Sequence, residues 1–501
     1  MLKKIRVILS AVIFALLTLL FLDFTGTFHA WFGALAKIQF VPAILALNVG
    51  VIVALVLLTL IFGRVYCSVI CPLGIAQDII GWASRKQKKA RYHFRKAHNW
   101  LRYTLMFIFI ALMACGLASI AAFIEPYSTF GRVTTELFGP VYGGVNNLLA
   151  LLAERWNSYA FYPTAVYIKS LPTFLTAAVL FVLIFVLAWR GGRTWCNTVC
   201  PVGTLLGLLS HWSLYKPVID TDKCNGCTVC SRKCKAGCIN APEHKIDYSR
   251  CVVCMDCIEN CRQHAIEYKF VGWGCKGKKS ATEPASAQQP AEEKIDKSRR
   301  AFLTAGALLA ATSVDAKKRK AEVAMAALED KIAPDRETPL KPAGSLSLKN
   351  FSDKCVACQL CVTKCPSHIL RPSTDLKTLM QPEISYLKGF CRPECTTCSE
   401  VCPAGAITPV TKAEKSSIRI GHAVWIRENC VVTANGDSCG NCARHCPAGA
   451  IRMVPAGFGS NLKVPAVDPE RCIGCGSCEY HCPARPHSAI YVVGHEVHSE
   501  I

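Results

Sequence analysis

Acidic residues are scarce in this 501-residue chain, where 35 Asp and Glu stand against 57 Lys and Arg. Charged residues of both signs make up only 18%, while hydrophobic residues reach 51% and mean hydropathy is +0.28. A single soluble globule does not carry so apolar a composition, so membrane spans are expected. No Cys-x-x-Cys-His occurs, so no covalent c-type haem is expected. No Gly-x-Gly-x-x-Gly opens a helix, which removes the dinucleotide fingerprint. No nucleophile–base constellation is legible either, so bond-making chemistry is expected on a partner.

What the chain has in excess is cysteine, at 31 residues. A secreted disulfide scaffold is short and evenly cysteine-rich, whereas these cysteines fall in tight, repeated groups. The formal charge of +22 gives no strong case for nucleic acid. Thiolate-held iron–sulfur sites of about −2 each would roughly halve it, and a membrane surface accounts for the rest, so no nucleic-acid partner is expected.

Four apolar runs stand out in the first 190 residues: Val7–Leu22, Val41–Phe62, Thr104–Ile124 and Leu171–Trp189. At ~1.5 Å per residue the last three can each cross a ~30 Å hydrocarbon core. The first is shorter, and its flanks Arg6 and Asp23 must snorkel. Lys3, Lys4 and Arg6 precede the first run, and eight Lys or Arg against Asp78 alone lie between Arg64 and Trp100. The positive-inside rule therefore puts the N-terminus and the segment after Trp189 in the cytoplasm. Residues 141–168, amphipathic and closing in Trp156, Tyr159, Phe161 and Tyr162, read as lying in the far interface.

The second and fourth runs lead into the same phrase. Gly63-Arg64-Val65-Tyr66-Cys67-Ser68-Val69-Ile70-Cys71-Pro72-Leu73-Gly74 returns 129 residues later as Gly192-Arg193-Thr194-Trp195-Cys196-Asn197-Thr198-Val199-Cys200-Pro201-Val202-Gly203. The membrane half is thus a duplication. Cysteines at i and i+4 share a helical face, so Cys67, Cys71, Cys196 and Cys200 can converge into a four-thiol site. Spacing alone leaves metal binding, thiol–disulfide chemistry and structural packing open.

Six compact groups of four cysteines follow. Cys224, Cys227, Cys230 and Cys234 form CxxCxxCxxxC, as do Cys251, Cys254, Cys257 and Cys261. Next come Cys355, Cys358, Cys361 and Cys365, then Cys391, Cys395, Cys398 and Cys402. The last two are Cys430, Cys439, Cys442 and Cys446, and Cys472, Cys475, Cys478 and Cys482. Three close thiolates on one loop wrap three corners of an iron–sulfur cubane, and the fourth ligates the partner cluster. Structural zinc instead uses two separated halves. The 24 cysteines therefore predict six 4Fe-4S clusters. Pro follows the fourth cysteine in the last four groups, but Lys235 and Arg262 stand there in the first two. Three cysteines remain outside these sets: Cys115 reads as mid-membrane packing, Cys238 as a non-ligand, and Cys275 is unassigned.

Residues 276–297 form a Pro/Ala/Glu/Lys linker. Ser298-Arg299-Arg300-Ala301-Phe302-Leu303, before the apolar stretch to Val314, reads as a twin-arginine export signal in mid-chain. A ferredoxin domain assembled in the cytoplasm must cross already folded, which is what such a signal serves. Lys317-Lys318-Arg319-Lys320 argues the other way, because positive charge stays inside. The expected organisation is a four-span membrane domain over 1–215, a two-cluster domain over 216–275, a linker, a signal or anchor over 298–316, a second linker over 317–345, and a four-cluster domain over 346–501. The fold class is a membrane α-helical bundle with an internal repeat plus α+β ferredoxin-like iron–sulfur domains.

On these motifs residues 1–275 resemble NapH-type membrane polyferredoxins, and residues 298–501 resemble NapG-type exported four-cluster ferredoxins. NosR-like and CcoG-like proteins share the membrane module; the former usually add a flavin-binding domain not seen here, and the latter lack the exported domain. The resemblance implies quinol-dehydrogenase-like electron transfer from the membrane quinone pool to a periplasmic reductase or cytochrome. The rival is an assembly or maturation factor that reduces a metal or thiol on a client enzyme. The resemblance also implies that the third cysteine group pairs with the sixth and the fourth with the fifth. His29 and Glu125 lie near the outer ends of spans and could take quinol protons, although interface packing or solvation accounts for each more simply.

Overall fold

Each copy of the duplicated phrase folds in the same way. An apolar helix, α5 (Val49–Phe62) or α12 (Leu171–Gly191), ends at a glycine with positive φ, Gly63 at 74° or Gly192 at 66°. A side chain would strain that conformation. A single turn follows, α6 (Tyr66–Val69) or α13 (Thr194–Thr198), and then a helix opened by proline, α7 (Pro72–Lys88) or α14 (Pro201–Ser210). Proline suits that first position because its missing N–H would have no partner there. The computed structural model describes residues 2–23, 26–88, 92–158, 160–164, 166–272, 331–457 and 461–501. The export signal, Lys317–Lys320 and Cys275 lie outside the described residues.

The first apolar run is longer than its composition indicates, forming α1 (Leu2–Leu22), about 30 Å at 1.5 Å per residue. With α12 it is one of two described helices long and apolar enough to cross a bilayer. Many apolar side chains on both point outward, among them Ile8 (65% exposed) and Val179 (66%). The other two runs are not single helices. Val41–Phe62 divides into α4 (Phe40–Leu45) and α5, with Leu47 at φ 53° between them and the Asn48 side chain accepting from Val51 N–H to restart the helix. Thr104–Ile124 divides into α8 (Asn99–Ala114) and α9 (Ala118–Ala121) at Gly116, φ 75°. Cys115 caps α8 at this break and is exposed, rather than packed inside a continuous span. Hydropathy sums over such turns and cannot see them.

The cysteine-rich segments contact opposite ends of α1. Lys3 at its start pairs with Asp256 at 3.2 Å and with Glu259. Asp23, just past its end, pairs with Lys364 at 2.5 Å. Near the first end, strand β1 (Tyr215–Ile219) pairs antiparallel with β4 (Ile266–Phe270). In the C-terminal part, two-stranded ladders join β5 (Leu370–Pro372) to β6 (Pro382–Ile384), β7 (Ile418–Trp425) to β10 (Ile490–Glu500), and β8 (Ile451–Pro455) to β9 (Lys463–Val467). This packed part begins earlier than residue 346: Arg336 pairs with Glu479 at 2.5 Å. One buried cluster runs from Leu17 and Phe21 of α1 through Phe130 to Phe351, Leu360 and Ile407, joining the helices to the C-terminal cysteine domain.

Asp78 on α7 ties the first end together. Its carboxylate meets Arg193 and Lys235, each at 2.7 Å, and Arg6 at 3.5 Å. Burial alone would raise its pKa, but Arg193 and Lys235 outweigh it and hold the group well below the usual carboxylate range. Lys235 occupies the position where the later groups carry proline. Asp78→Asn leaves the buried Arg193 without a carboxylate partner and is expected to cost about 3–5 kcal/mol, read as a lowered unfolding midpoint. Because the folded pKa is depressed, the wild-type contribution is complete above the unfolded value of about 4 and is lost as pH falls below it. The variant should show a correspondingly flatter acid limb.

Candidate iron–sulfur centres

The cysteines of the first two groups ring two separate cavities. Cys224, Cys227 and Cys230 surround one together with Cys261, and Cys251, Cys254 and Cys257 surround the other together with Cys234. The fourth cysteine of each group thus crosses to its neighbour. Each three-cysteine loop turns into a short helix, α15 (Val229–Lys233) or α16 (Asp256–Glu259), through a residue in the left-handed region, Thr228 or Met255. Gln359 and Gly476 repeat that conformation in the third and sixth groups. Such turns direct successive backbone N–H groups into one concavity, which suits an anionic centre. Backbone N–H groups also reach the thiols, Ala265 to Cys261 Sγ at 3.3 Å and Ala489 to Cys482 Sγ at 3.4 Å.

In the C-terminal part the fourth cysteines again exchange, but between consecutive groups. Cys402 shares a cavity with Cys355, Cys358 and Cys361. Cys365 lies within electrostatic reach of Cys391 and Cys398. Cys446 reaches Cys472, Cys475 and Cys478, while Cys482 reaches Cys442, near Cys430 and Cys439. Group three therefore pairs with four and five with six, correcting the pairing of three with six and four with five. Short helices explain it: Leu360–Lys364 packs on Thr397–Val401, and Asn441–Arg444 on Ser477–His481, so each pair closes locally. The two pairs meet where Cys391 N–H donates to Cys475 O at 2.9 Å.

The donor set fits four-iron clusters. Among the described residues no three Cys, His, Asp or Glu side chains converge on a point that one ion could fill. The thiols ring a space instead of meeting in it, as a cubane requires and a single zinc does not. Cys238 stands with its Sγ 3.5 Å from Cys234 Sγ in the second cavity.

The duplicated phrases build a further four-thiol cluster. Cys71 and Cys200 are buried with Cys196 and Cys67 in electrostatic reach of both. Two arginines hold it reciprocally. Arg193 Nη1 donates to Cys67 O at 2.5 Å, and Arg64 Nη2 to Cys196 O at 3.4 Å. A Cβ on Gly74 or Gly203 would lie 2.3 Å from those same carbonyls, so only glycine fits. Gln77 Nε2 and Gly203 N–H donate to Cys196 Sγ (3.1 Å) and Cys200 Sγ (3.3 Å). The two-cluster domain docks directly on this site, with Arg64 Nη1 donating to Ser249 O at 3.0 Å and Asn197 Nδ2 to Ala236 O at 3.2 Å.

Two family models match the chain: a 4Fe-4S binding domain over residues 44–90 and 173–217, and a 4Fe-4S dicluster domain over 437–485. The first covers both duplicated phrases and the second covers most of groups five and six. The chain belongs to the ferredoxin-type 4Fe-4S proteins. It is 26% identical to the ferredoxin-type protein NapH of Escherichia coli over 230 residues, 44% of this chain and 67% of that one. It is 26% identical to the methylamine utilization ferredoxin-type protein MauN of Paracoccus denitrificans over 203 residues, 40% of this chain and 57% of the relative. Over 67 residues it is 40% identical to the pyruvate synthase subunit PorD of Methanothermobacter marburgensis, 13% of this chain and 82% of that subunit. No solved structure matches the chain.

Sequence reasoning missed the reciprocal arginines and the docking role of Lys235. The signal was present, since Asp78 is the lone acid among eight basic residues and Lys235 breaks the proline rule. Glu125, weighed above as a proton acceptor, instead accepts from Ser128 N–H and caps the helix α10 (Pro126–Val133). His29 is part-buried with Nδ1 unpartnered. The cysteine pairing makes a direct prediction for the reduced protein in electron paramagnetic resonance. Cys365→Ser and Cys398→Ser should perturb the same signal, and Cys402→Ser and Cys358→Ser a different one. The reverse assignment of Cys365 and Cys402 would contradict the exchange.

Proposed function

We propose that this chain is a membrane-bound electron-transfer polyferredoxin that carries electrons from quinol through six 4Fe-4S clusters to a periplasmic reductase or cytochrome. The observation that carries the reading is the file of cysteine quartets. The exposed apolar surface of α1 and α12 supports a bilayer setting. The contact of one cysteine domain with Lys3 and of the other with Asp23 supports cysteine domains on opposite faces. Among the remaining described apolar helices, α4 with α5 and α8 with α9 are read as the broken second and third spans. Their turns are exposed, with Leu47 at 76%, so in a bilayer the reading requires them to lie at an interface or a water-filled cavity.

In this reading the chain's own residues bind, insulate and align. Cysteines of paired groups would hold each cluster, which supplies one-electron transfer when bound. Tyr66 and Tyr127 lie between the four-thiol site and the third group: Tyr66 has Cys71 and Glu125 in its field, and Tyr127 has Glu125, Cys358 and Cys402. The Cys67, Cys71, Cys196 and Cys200 site thus stands between the two domains, and we read it as a seventh metal site.

Anaerobically purified protein should contain about 24 iron and matching acid-labile sulfide from six clusters, rising toward 28 if the four-thiol site also holds a cubane. Serine at all four of those positions should return iron to about 24. Stoichiometric zinc without sulfide would overturn the reading.

Topology gives a separate test. A reporter fused after Cys275 should read cytoplasmic and one after Ile501 periplasmic, and Arg299→Lys with Arg300→Lys should trap the second inside. A cytoplasmic C-terminus in the unaltered protein would refute export and make Lys317–Lys320 the governing signal.

A further inference from the structure

A cavity of about 370 Å³ lies where the helical half meets the C-terminal cysteine domain, and none of the roles above uses it. Its walls are the end of α1, the π-helical turn Thr134–Phe138 with the start of α11 (Gly139–Arg155), Tyr162–Thr164 with Val166, Tyr167 and Lys169, and the stretch from Thr363 to His368. The volume lies in the range of small-molecule sites. One wall carries Cys365, which the cysteine exchange assigns to the quartet of Cys391, Cys395 and Cys398. Facing the same space is Glu136, 4% exposed and carried on the π turn. Its carboxyl makes no hydrogen bond or ion pair among the described residues. A π turn interrupts the regular ladder and recurs at functional sites. The nearest cation is Lys169, whose ammonium donates to Val362 O at 3.1 Å.

The lining is mixed, with Phe21, Leu22 and Val166 beside Glu136, Lys169 and His368. Its exposed side carries Tyr162 (55% exposed) and Val166 (42%), and Val141 (63%) follows the lining residue Pro140 on α11. The apolar surface continues along α11 through Val145 and Leu148. A ligand entering here comes from lipid, stops beside a buried carboxyl, and ends against a cluster ligand. Those three features together select a lipid-soluble donor of electrons and protons.

We infer that this cavity is the quinol-binding site, with Glu136 as the proton acceptor and Cys365 on the electron-accepting wall. The assignment rests on quinol as the donor, proposed above. Burial pushes the Glu136 carboxyl up to about 7, with Lys169 opposing, so at neutral pH it exists in both forms and can take and release a proton. Oxidation of one quinol breaks two O–H bonds and releases two protons and two electrons. One proton passes to the Glu136 carboxylate and the other to water at the mouth. The two electrons would leave one at a time, the second after the 4Fe-4S centre that Cys365 would help hold has passed the first to a neighbouring cluster, leaving a quinone. Electrons would then enter the chain at the C-terminal domain, beside the quartet that Cys365 completes.

The test uses the full-length chain with its clusters, in detergent and under argon. An azido-naphthoquinone is photolysed on it, and the adducts are mapped by mass spectrometry. Label is expected within residues 135–143 and 162–169, displaced by excess unlabelled naphthoquinone. Glu136→Gln should retain the label but slow menadiol-driven bleaching of cluster absorbance at least about tenfold, with dithionite bleaching unchanged. Val166→Trp, at the exposed mouth, should reduce the label while cluster content stays constant. If menadiol bleaches the wild-type clusters while label falls only on other peptides, the cavity assignment fails and the quinol reading stands. If dithionite but not menadiol bleaches the wild-type clusters, the quinol reading fails and takes the assignment with it.

Discussion

The reciprocal reach of Arg64 and Arg193 across the duplicated phrases is the constraint on which the helical half depends. Each guanidinium is buried, and each bonds the carbonyl of a cysteine in the opposite copy. A buried arginine is costly unless its donors are met by fixed acceptors. Here the acceptors are the backbone of the other copy, together with Asp78, Asn197 and Ser249. Neither copy can supply these alone, so the two halves fold against each other. Gly74 and Gly203 follow from the same geometry, since any side chain would collide with the carbonyl that the arginine needs.

That arrangement also fixes the two-cluster domain. Arg64 passes through the four-thiol region to Ser249, and Lys235 returns from the domain to Asp78. The basic residues at this end, which by sequence serve orientation in a membrane, therefore do structural work within the protein as well. At the other end of α1 the buried pair of Lys364 and Asp23 reaches the C-terminal domain, and an apolar cluster continues from Leu17 and Phe21 to Phe351 and Leu360. Two different kinds of interface thus connect the helices to their cysteine domains. An ionic one meets the first domain, and an ion pair joined to a continuous apolar cluster meets the second.

A dense array of thiols needs local folding that prevents wrong pairing. The exchange of fourth cysteines between adjacent groups meets this need with short loops. The turns after the second cysteine adopt left-handed conformations even at Thr228, Met255 and Gln359, where a side chain makes that unfavourable. Such strain is tolerated where surrounding structure over-determines the backbone, and a cluster ligated by three cysteines of the same loop would do so.

The cysteine spacing by itself determined the chemistry, because ligand number and separation are covalent facts of the chain. It also determined the duplication, since the repeated twelve-residue phrase needs no fold to be seen. Composition determined that much of the surface is apolar. Tertiary structure alone decided where the apolar runs break, because one residue such as Leu47 or Gly116 turns the backbone without changing hydropathy. It also decided which groups exchange cysteines, which depends on which short helices pack together. The cavity beside Cys365 was invisible in sequence for the same reason. Glu136, Lys169 and Cys365 are separated by 33 and 196 positions in the chain, and only packing brings a carboxyl, an ammonium and a thiol to one space.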